Sequence, residues 1–282
     1  NMFCSYCIIP HSRGGFRSKP LGDIVSEVSA LASAGYREVV LTGINLSFYG
    51  VDLGMRLADA IEAVCGIDGI ERVRLGSIEP EVISAEDVRR FAEQKKLCPQ
   101  FHLSLQSGCG KTLKAMNRRY SPEQYESIVN LLRTNFDNCS ITTDIMVGFP
   151  GETDEDFAES VRFAETVGFA KAHIFAYSRR QGTPAAEMAG QVPEAVKRSR
   201  AAKMAEAMEK CRERFLQSQV GTVAPVLFER EKSDGIAHGY TPNYTQVKIS
   251  KKNHNISLRN SIFYVKIIGI GNDCCLGEII TQ

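Results

Sequence analysis

The chain has 282 residues, 43% of them hydrophobic and 24% charged, with a net charge of +1. This composition builds a sizeable core, suits one large domain plus a small one, and excludes a polyelectrolyte; any grip on nucleic acid must come from a local patch. No apolar run reaches the roughly 18 residues of a membrane span. No signal peptide is recognisable at the start. Nine cysteines, an odd number scattered through a long chain, fit a reducing cytoplasm better than a disulfide framework.

Between Arg37 and about Lys171, strand-like runs alternate with amphipathic helical stretches. The runs are REVVLTG (37–43), RVRLGS (72–77), FHLSLQS (101–107), SITTDIMVGF (140–149) and AKAHIFAYS (170–178). The helical stretches are LGDIVSEVSALASAG, MRLADAIEAVCG, SAEDVRRFAEQ, SPEQYESIVNLLR and DEDFAESVRFAETVG. Ser84, Ser121 and Thr153 stand where N-caps belong, and Gly35, Gly66 and Gly168 where helices stop. Such alternation predicts parallel βαβ units, whose functional residues collect at the carboxyl ends of the strands. Those ends are polar and glycine-rich here: Thr42-Gly43-Ile44-Asn45, Ser77-Ile78-Glu79-Pro80, Gln106-Ser107-Gly108, Gly148 to Glu152, and Tyr177-Ser178-Arg179. Each alone reads as turn chemistry, and five together describe a ring around one mouth.

Residues 193–217 form a helix rich in Lys and Arg, for which a solvated face is the ordinary explanation. After Gly221 the pattern changes to short strand-like runs with turns between them. They predict a second domain, all-β, a small antiparallel barrel of the kind that binds RNA. The boundary is placed at 217/218, so the core domain spans 1–217 and the barrel 218–282. His102 and His173 lie inside apolar runs and are expected to be packed core residues.

Cys4-Ser5-Tyr6-Cys7 is a C-x-x-C pair. It is half of a zinc site, a redox dithiol, or part of an iron–sulfur site. A zinc ribbon needs a second matching pair, and none is evident. A thioredoxin-like unit fits poorly with so long and repetitive a pattern. Iron–sulfur ligation by C-x3-C-x2-C is the third reading, and its first cysteine would fall just ahead of residue 1. The pair is then expected at an exposed chain end.

The motifs NMFCSYCIIPHSRGGFRSKP, EVVLTGINLSFYGVD, RVRLGSIEP, HLSLQSG, MNRRY, TTDIMVGFPGE, FAYSRRQGTPA and QVPEAVKRSR, with GYTPNYTQV and LGEII further on, resemble the radical-SAM tRNA methylthiotransferases along essentially the whole chain. Within them the chain is most similar to the branch acting on N6-threonylcarbamoyladenosine, on the strength of Arg13 to Ser18, Tyr49-Gly50-x-Asp52 and GYTPNY. The sister branches act on isopentenyladenosine in tRNA and on a ribosomal-protein aspartate. The resemblance implies an α/β fold, an open partial (βα)6 TIM-like barrel lacking its first strand, then a TRAM/OB-like β-barrel. It implies a 4Fe-4S cluster held by Cys4, Cys7 and an upstream cysteine, and S-adenosylmethionine. One cofactor molecule would supply a methyl group and another a radical that takes hydrogen from adenosine C2. Tyr6, Gly43, Asn45, Ser77, Glu79, Gln106, Ser107, Asp144, Gly148, Phe175 and Tyr177 would surround the cofactor, and Arg119 would steady a carboxylate or the sulfur donor. The implied partner is the tRNA anticodon stem-loop, with no membrane and no DNA. Basic residues of the barrel (Arg230, Lys232, Lys248, Lys251, Lys252, Arg259, Lys266) with Tyr240, Tyr244 and Tyr264 would meet the RNA. The family's N-terminal domain, with a second 4Fe-4S cluster, has no counterpart here, so this chain alone is expected not to methylthiolate. Rival readings are a non-catalytic RNA-binding module and a radical-SAM enzyme with another substrate.

Overall fold

The period-two runs become strands and the three-and-four-spaced runs become the helices that cover them. The computed structural model describes residues 3–231, 235–250 and 257–280. A short α1 (Ile9–Arg13) and α2 (Leu21–Ser33) precede β1 (Glu38–Leu41), followed by α3 (Leu57–Cys65), β2 (Arg72–Leu75), β3 (Ser77–Ile78) and α4 (Ala85–Ala92). Next come β4 (Gln100–Leu103), α5 (Gly110–Ala115), α6 (Pro122–Asn135), β5 (Ser140–Val147), α7 (Asp154–Val167), β6 (Lys171–Ala176), α8 (Pro184–Glu187) and α9 (Glu194–Gln219).

Every pairing among β1 to β6 is parallel: β1 with β2, and β3–β4–β5–β6 in order. β2 and β3 are one segment broken at Gly76, whose N–H donates to Leu41 O at 2.8 Å. The result is an open barrel wall with β1 and β6 at its two edges, as the alternation predicts. Ser84, Ser121 and Thr153 each close a capping box, with Asp87, Gln124 and Asp156 at the third helical position. Gly168 ends α7 in the left-handed conformation.

On β5, Ile141, Thr143, Ile145 and Val147 are buried under the helices, while Thr142, Asp144 and Met146 take the opposite, lumen face. His102 and His173 share that lumen face by register with Thr142 and Asp144. His173 is exposed. The expectation of packed histidines holds for His102, whose side chain is 14% exposed and in hydrogen-bond contact with Thr142, and is corrected for His173: the apolar neighbours point outward to the helices, and both histidines point inward.

The basic helix corrects a second expectation. Lys197 and Arg200 of α9 are buried rather than solvated. Arg200 donates to Glu152 Oε2 at 2.8 Å, to Glu152 O at 3.0 Å and to Asp154 Oδ1 at 2.7 Å. Lys197 Nζ lies 5.2 Å from the centre of the Tyr177 ring. The turn from Gly148 to Glu152 is thus clamped by α9. Burial raises the Glu152 pKa, against the pull of the Gly148 N–H and the Arg200 charge.

β7 (Val223–Glu231), β8 (Ile236–Tyr240), β9 (Gln246–Ser250), β10 (Ser261–Gly271) and β11 (Cys274–Ile279) close into a barrel. It is not wholly antiparallel, since β9 and β11 pair in parallel. Its core holds Val226, Phe228, Val247, Ile249, Val265 and Cys275, with Leu216 of α9. The barrel sits under the amino ends of the parallel strands. Arg72 donates to Pro225 O at 2.5 Å and Tyr240 O at 2.8 Å, and Ser140 Oγ to Asn243 O at 2.7 Å. The Arg74 guanidinium lies 3.5 Å from the Tyr244 ring centre, and Tyr244 stacks on Tyr240 at 4.4 Å. These two tyrosines, expected at RNA, are engaged at the floor of the open barrel.

Gly148 has φ +71°, and a Cβ there would lie 2.4 Å from Lys197 Cγ. Gly148→Ala is expected to destabilise the protein by about 1–3 kcal/mol in urea unfolding, with partial recovery when Lys197→Ala is added.

Candidate functional site

Cys4 to Cys7 form a turn closed by Cys7 N–H on Cys4 O at 3.1 Å. The turn is seated on the MNRRY segment that follows α5. Ser5 N–H donates to Met116 O at 3.0 Å, Ser5 Oγ to Ala115 O at 2.9 Å, and Asn117 Nδ2 to Phe3 O at 2.6 Å. On the other side Ala185 N–H donates to Ser5 O at 2.8 Å. Cys4 is 7% exposed. The expectation of an exposed chain end is corrected: four neighbouring atoms, Met116 O, Ala115 O, Asn117 Nδ2 and Ala185 N, hold this loop into the protein. All cysteines among the described residues are free thiols.

Arg118 fixes the centre. Its side chain is 2% exposed and ion-pairs with Glu79. It also donates to Cys4 Sγ at 3.3 Å, Tyr120 Oη at 3.2 Å and Ser104 O at 3.4 Å. Tyr120 Oη in turn donates to the carbonyls of Ser104 and Leu105, 2.7 Å from each. Burial alone would lower the Arg118 pKa, but Tyr120, Glu79, Tyr6 and Cys4 raise it overall, so the guanidinium stays charged. Burial first, and Cys4 second, push the Tyr6 phenol well up, so Tyr6 keeps its proton.

A cavity of about 950 Å³ opens beside this centre, and Cys4, Tyr6, Cys7, Gly43, Asn45, Glu79, Gln106 and Arg118 all line it. Asn45 Oδ1 is buried without a hydrogen-bond donor. Gln106 is held in the left-handed region at φ 64° by main-chain bonds to Asp144 O and Met146 N, each 2.8 Å. Arg13 to Ser18 form the outer wall. Ser18 meets the turn after Tyr49: its N–H donates to Asp52 Oδ2 at 2.9 Å, and its Oγ accepts from Gly50 N at 2.9 Å. The Ser18 hydrogen bonds lower the Asp52 pKa. Gly50 is required in that turn, because a Cβ would sit 2.6 Å from the Met55 carbonyl carbon at φ +84°.

The expected residues divide. Cys4, Cys7, Tyr6, Gly43, Asn45, Glu79 and Gln106 share the cavity. Ser77, Asp144 and Phe175 lie on the adjoining lumen face, with Phe175 52% exposed. Ser107 departs from expectation: it is fully buried, and its hydroxyl accepts from Cys109 N at 3.2 Å. Gly148 is packed under Lys197. Tyr177 is buried among Met116, Phe149 and Ala185. Arg119 is exposed, outside the cavity, with its N–H on Glu81 Oε2 at 3.2 Å. The residue that occupies the site is Arg118, missed because two adjacent arginines are indistinguishable until the backbone turn at Asn117 (φ 59°) aims one inward.

An open parallel barrel with a cysteine turn at its mouth defines a class, and comparison agrees. Residues 1–164 match the family model described as the radical SAM superfamily, and the chain belongs to that superfamily. It is 40% identical over 245 residues to the tRNA-2-methylthio-N(6)-dimethylallyladenosine synthase of Pelotomaculum thermopropionicum, covering 86% of this chain and 55% of that protein. It is also 40% identical over 244 residues to the threonylcarbamoyladenosine tRNA methylthiotransferase of Thermotoga maritima, covering 86% and 56%. The chain thus spans little more than half the length of these relatives. Among solved structures, coproporphyrinogen III oxidase from Escherichia coli superposes with a TM-score of 0.55 at 12% identity, over 86% of this chain and 63% of that one, a likeness of fold.

Arg118→Met is expected to cost about 3–5 kcal/mol in chemical unfolding, since it leaves Glu79 without its buried partner. Arg119→Ala is expected to stay within about 0.5 kcal/mol of the parent.

Proposed function

We propose that this chain is the catalytic core and RNA-facing barrel of a tRNA methylthiotransferase acting at C2 of N6-threonylcarbamoyladenosine in the anticodon stem-loop. The observation that carries this reading is the Cys4–Cys7 turn, seated by Arg118 on one cavity with Gly43, Asn45, Glu79 and Gln106. Cys4 and Cys7 are two thiolate ligands for a 4Fe-4S cluster, and a third is expected ahead of residue 1; no group of three candidate ligands occurs among the described residues. The residues fit such a group. Cys4 Sγ already receives an N–H from a cation, which suits a thiolate, and the orphaned Asn45 Oδ1 suits the ammonium of S-adenosylmethionine. Bound there, cluster and S-adenosylmethionine supply a one-electron cleavage of the sulfonium and so a radical able to take hydrogen from an unreactive C–H.

The chain's own residues bind and orient. Tyr6 lays a protonated phenol and an apolar ring against the cofactor. Arg118 holds positive charge beside Cys4 while neutralising Glu79, and Gly43 lets a ligand approach the main chain. Asp144 and Phe175 offer a carboxylate and a ring from the lumen. Arg13 and Arg17 on the cavity wall support the threonylcarbamoyl branch, since a guanidinium suits its carboxylate. On the second barrel, Arg230, Lys248, Arg259 and Lys266 are suited to phosphates, and Tyr264, 54% exposed, to an unpaired base; Lys232, Lys251 and Lys252 fall outside the described residues. No helix among the described residues is long and apolar enough to cross a membrane, and a cytoplasmic site of action accords with a tRNA substrate.

The test uses the full-length protein containing this chain, reconstituted anaerobically and given tRNA bearing either nucleoside. Mass spectrometry of the digested tRNA is expected to show the methylthio form of threonylcarbamoyladenosine. Methylthiolation of isopentenyladenosine instead would assign the sister branch, and a colourless protein that binds tRNA without modifying it would assign a binding module. For the barrel, Arg230→Glu with Lys266→Glu is expected to weaken tRNA binding and flatten its salt dependence by about two ion-release units.

A further inference from the structure

Two sequence motifs, Arg13 to Ser18 and Tyr49-Gly50-x-Asp52, meet in the structure. Residues 14–20 run between α1 and α2 without helix or strand, and 14–19 form a strap along the outer wall of the cavity. Gly14, at φ +72°, turns the chain out of α1. Beyond it the strap is tied to the loop after β1. The Phe16 ring lies 5.9 Å from the Phe48 ring. Ser18 N–H donates to Asp52 Oδ2 at 2.9 Å, and Ser18 Oγ accepts from Gly50 N at 2.9 Å. Tyr49 Oη donates to Lys19 O at 3.0 Å. The polar partners are 30 to 34 residues apart in the chain, so these ties are tertiary contacts rather than the strap's own turn geometry. The loop is the stiffer side, because Gly50 O accepts from Leu53 N at 2.8 Å and from Met55 N at 2.7 Å. Arg17 stands between two tied residues; it lines the cavity and is exposed. The Ser18 hydroxyl and N–H, and after them the Arg17 charge, lower the Asp52 pKa. Asp52 Oδ2 is thus committed to Ser18, and Arg17 forms no ion pair among the described residues, which leaves its guanidinium to a ligand.

We infer that Ser18 and Asp52 are positioning residues: they latch the strap to the loop after β1, so that Arg17 presents its guanidinium across the cavity mouth to a carboxylate carried on the target nucleoside. The carboxylate rests on the threonylcarbamoyl reading above, whereas the latch rests on the contacts alone. An arginine on a free loop pays for ordering that loop when it binds, and a latched one does not. A guanidinium fork also pairs with a carboxylate in a fixed geometry, so its advantage depends on how the main chain holds it. An isopentenyl group has no charge to offer, and the latch therefore acts on the choice between nucleosides more than on the grip on RNA. Arg17 is the group that touches ligand. Ser18 and Asp52 act through it.

The test uses the full-length protein containing this chain and has two readouts. The first is limited trypsin digestion followed by mass spectrometry. Trypsin cuts after Arg13 and Arg17 and passes over Lys19, because Pro20 follows it. Ser18→Ala and Asp52→Ala are expected to speed cleavage at Arg17 severalfold without new cuts elsewhere, and Ser18→Thr, which keeps the hydroxyl, to restore the parent rate. Equal rates in parent and variants, or new cuts throughout the chain in both variants, overturn the latch. The second readout is binding of anticodon stem-loops that carry adenosine, threonylcarbamoyladenosine or isopentenyladenosine at the target position. The preference for threonylcarbamoyladenosine over adenosine is expected to fall about tenfold in Arg17→Ala, Ser18→Ala and Asp52→Ala, and to return in Ser18→Thr. A strap that is cut faster while the preference stays intact overturns the positioning role. A parent that prefers isopentenyladenosine overturns the threonylcarbamoyl reading and with it the carboxylate at Arg17, and the digestion still decides the latch.

Discussion

The guanidinium of Arg118 is the constraint on which the site depends. It is a buried cation, and it is tolerated because Glu79 supplies an opposite charge while Tyr120, Ser104 and Cys4 supply acceptors. Each partner comes from a different part of the chain: the loop after β3, the loop after β4, the segment after α5 and the cysteine turn. One cation thus gathers the strand ends around the mouth and sets the electrostatic surroundings of the first cysteine. Removing a charge in such a place exposes the others to the full cost of burial, so cluster loop and barrel wall are specified together.

A second arginine does comparable work outside the mouth. Arg200 on α9 closes the turn after β5 through Glu152 and Asp154, and Lys197 occupies the space that Gly148 leaves. That turn, whose Gly148 was expected at the cofactor, is also the seat of the long helix that joins the two barrels.

Much of this architecture was legible in the sequence. The five strand positions, the capped helices and the second barrel follow from periodicity and cap residues, which act locally and leave a local record. The cysteine pair and the residues of the cavity wall were found because loops after parallel strands converge. What escaped was long-range. Arg118 and Arg119 differ only in where one positive φ turns the chain. Ser107 looks like a strand-end polar residue, yet its hydroxyl is spent on the next helix. Lys197 and Arg200 read as solvated because the carboxylate and the glycine that receive them lie some fifty residues away. His102 and His173 sit in apolar runs, and the alternation that turns them inward shows only once the covered face of the sheet is known.

The docking of the second barrel carries one more consequence. Leu216 of α9 belongs to its core, while Met204 and Met208 of the same helix belong to the core of the first barrel. Arg72 and Ser140 end on carbonyls of the second barrel, and Arg74 is capped by Tyr244. Two bodies that share a continuous helix and satisfy each other's buried donors are coupled, since neither opens without exposing polar groups of the other. The smaller barrel is therefore a cork as well as the proposed hand for RNA: pulled away, it would open the base of the larger barrel to water, taking from Arg72 its two carbonyl acceptors and from Arg74 the Tyr244 ring that covers it.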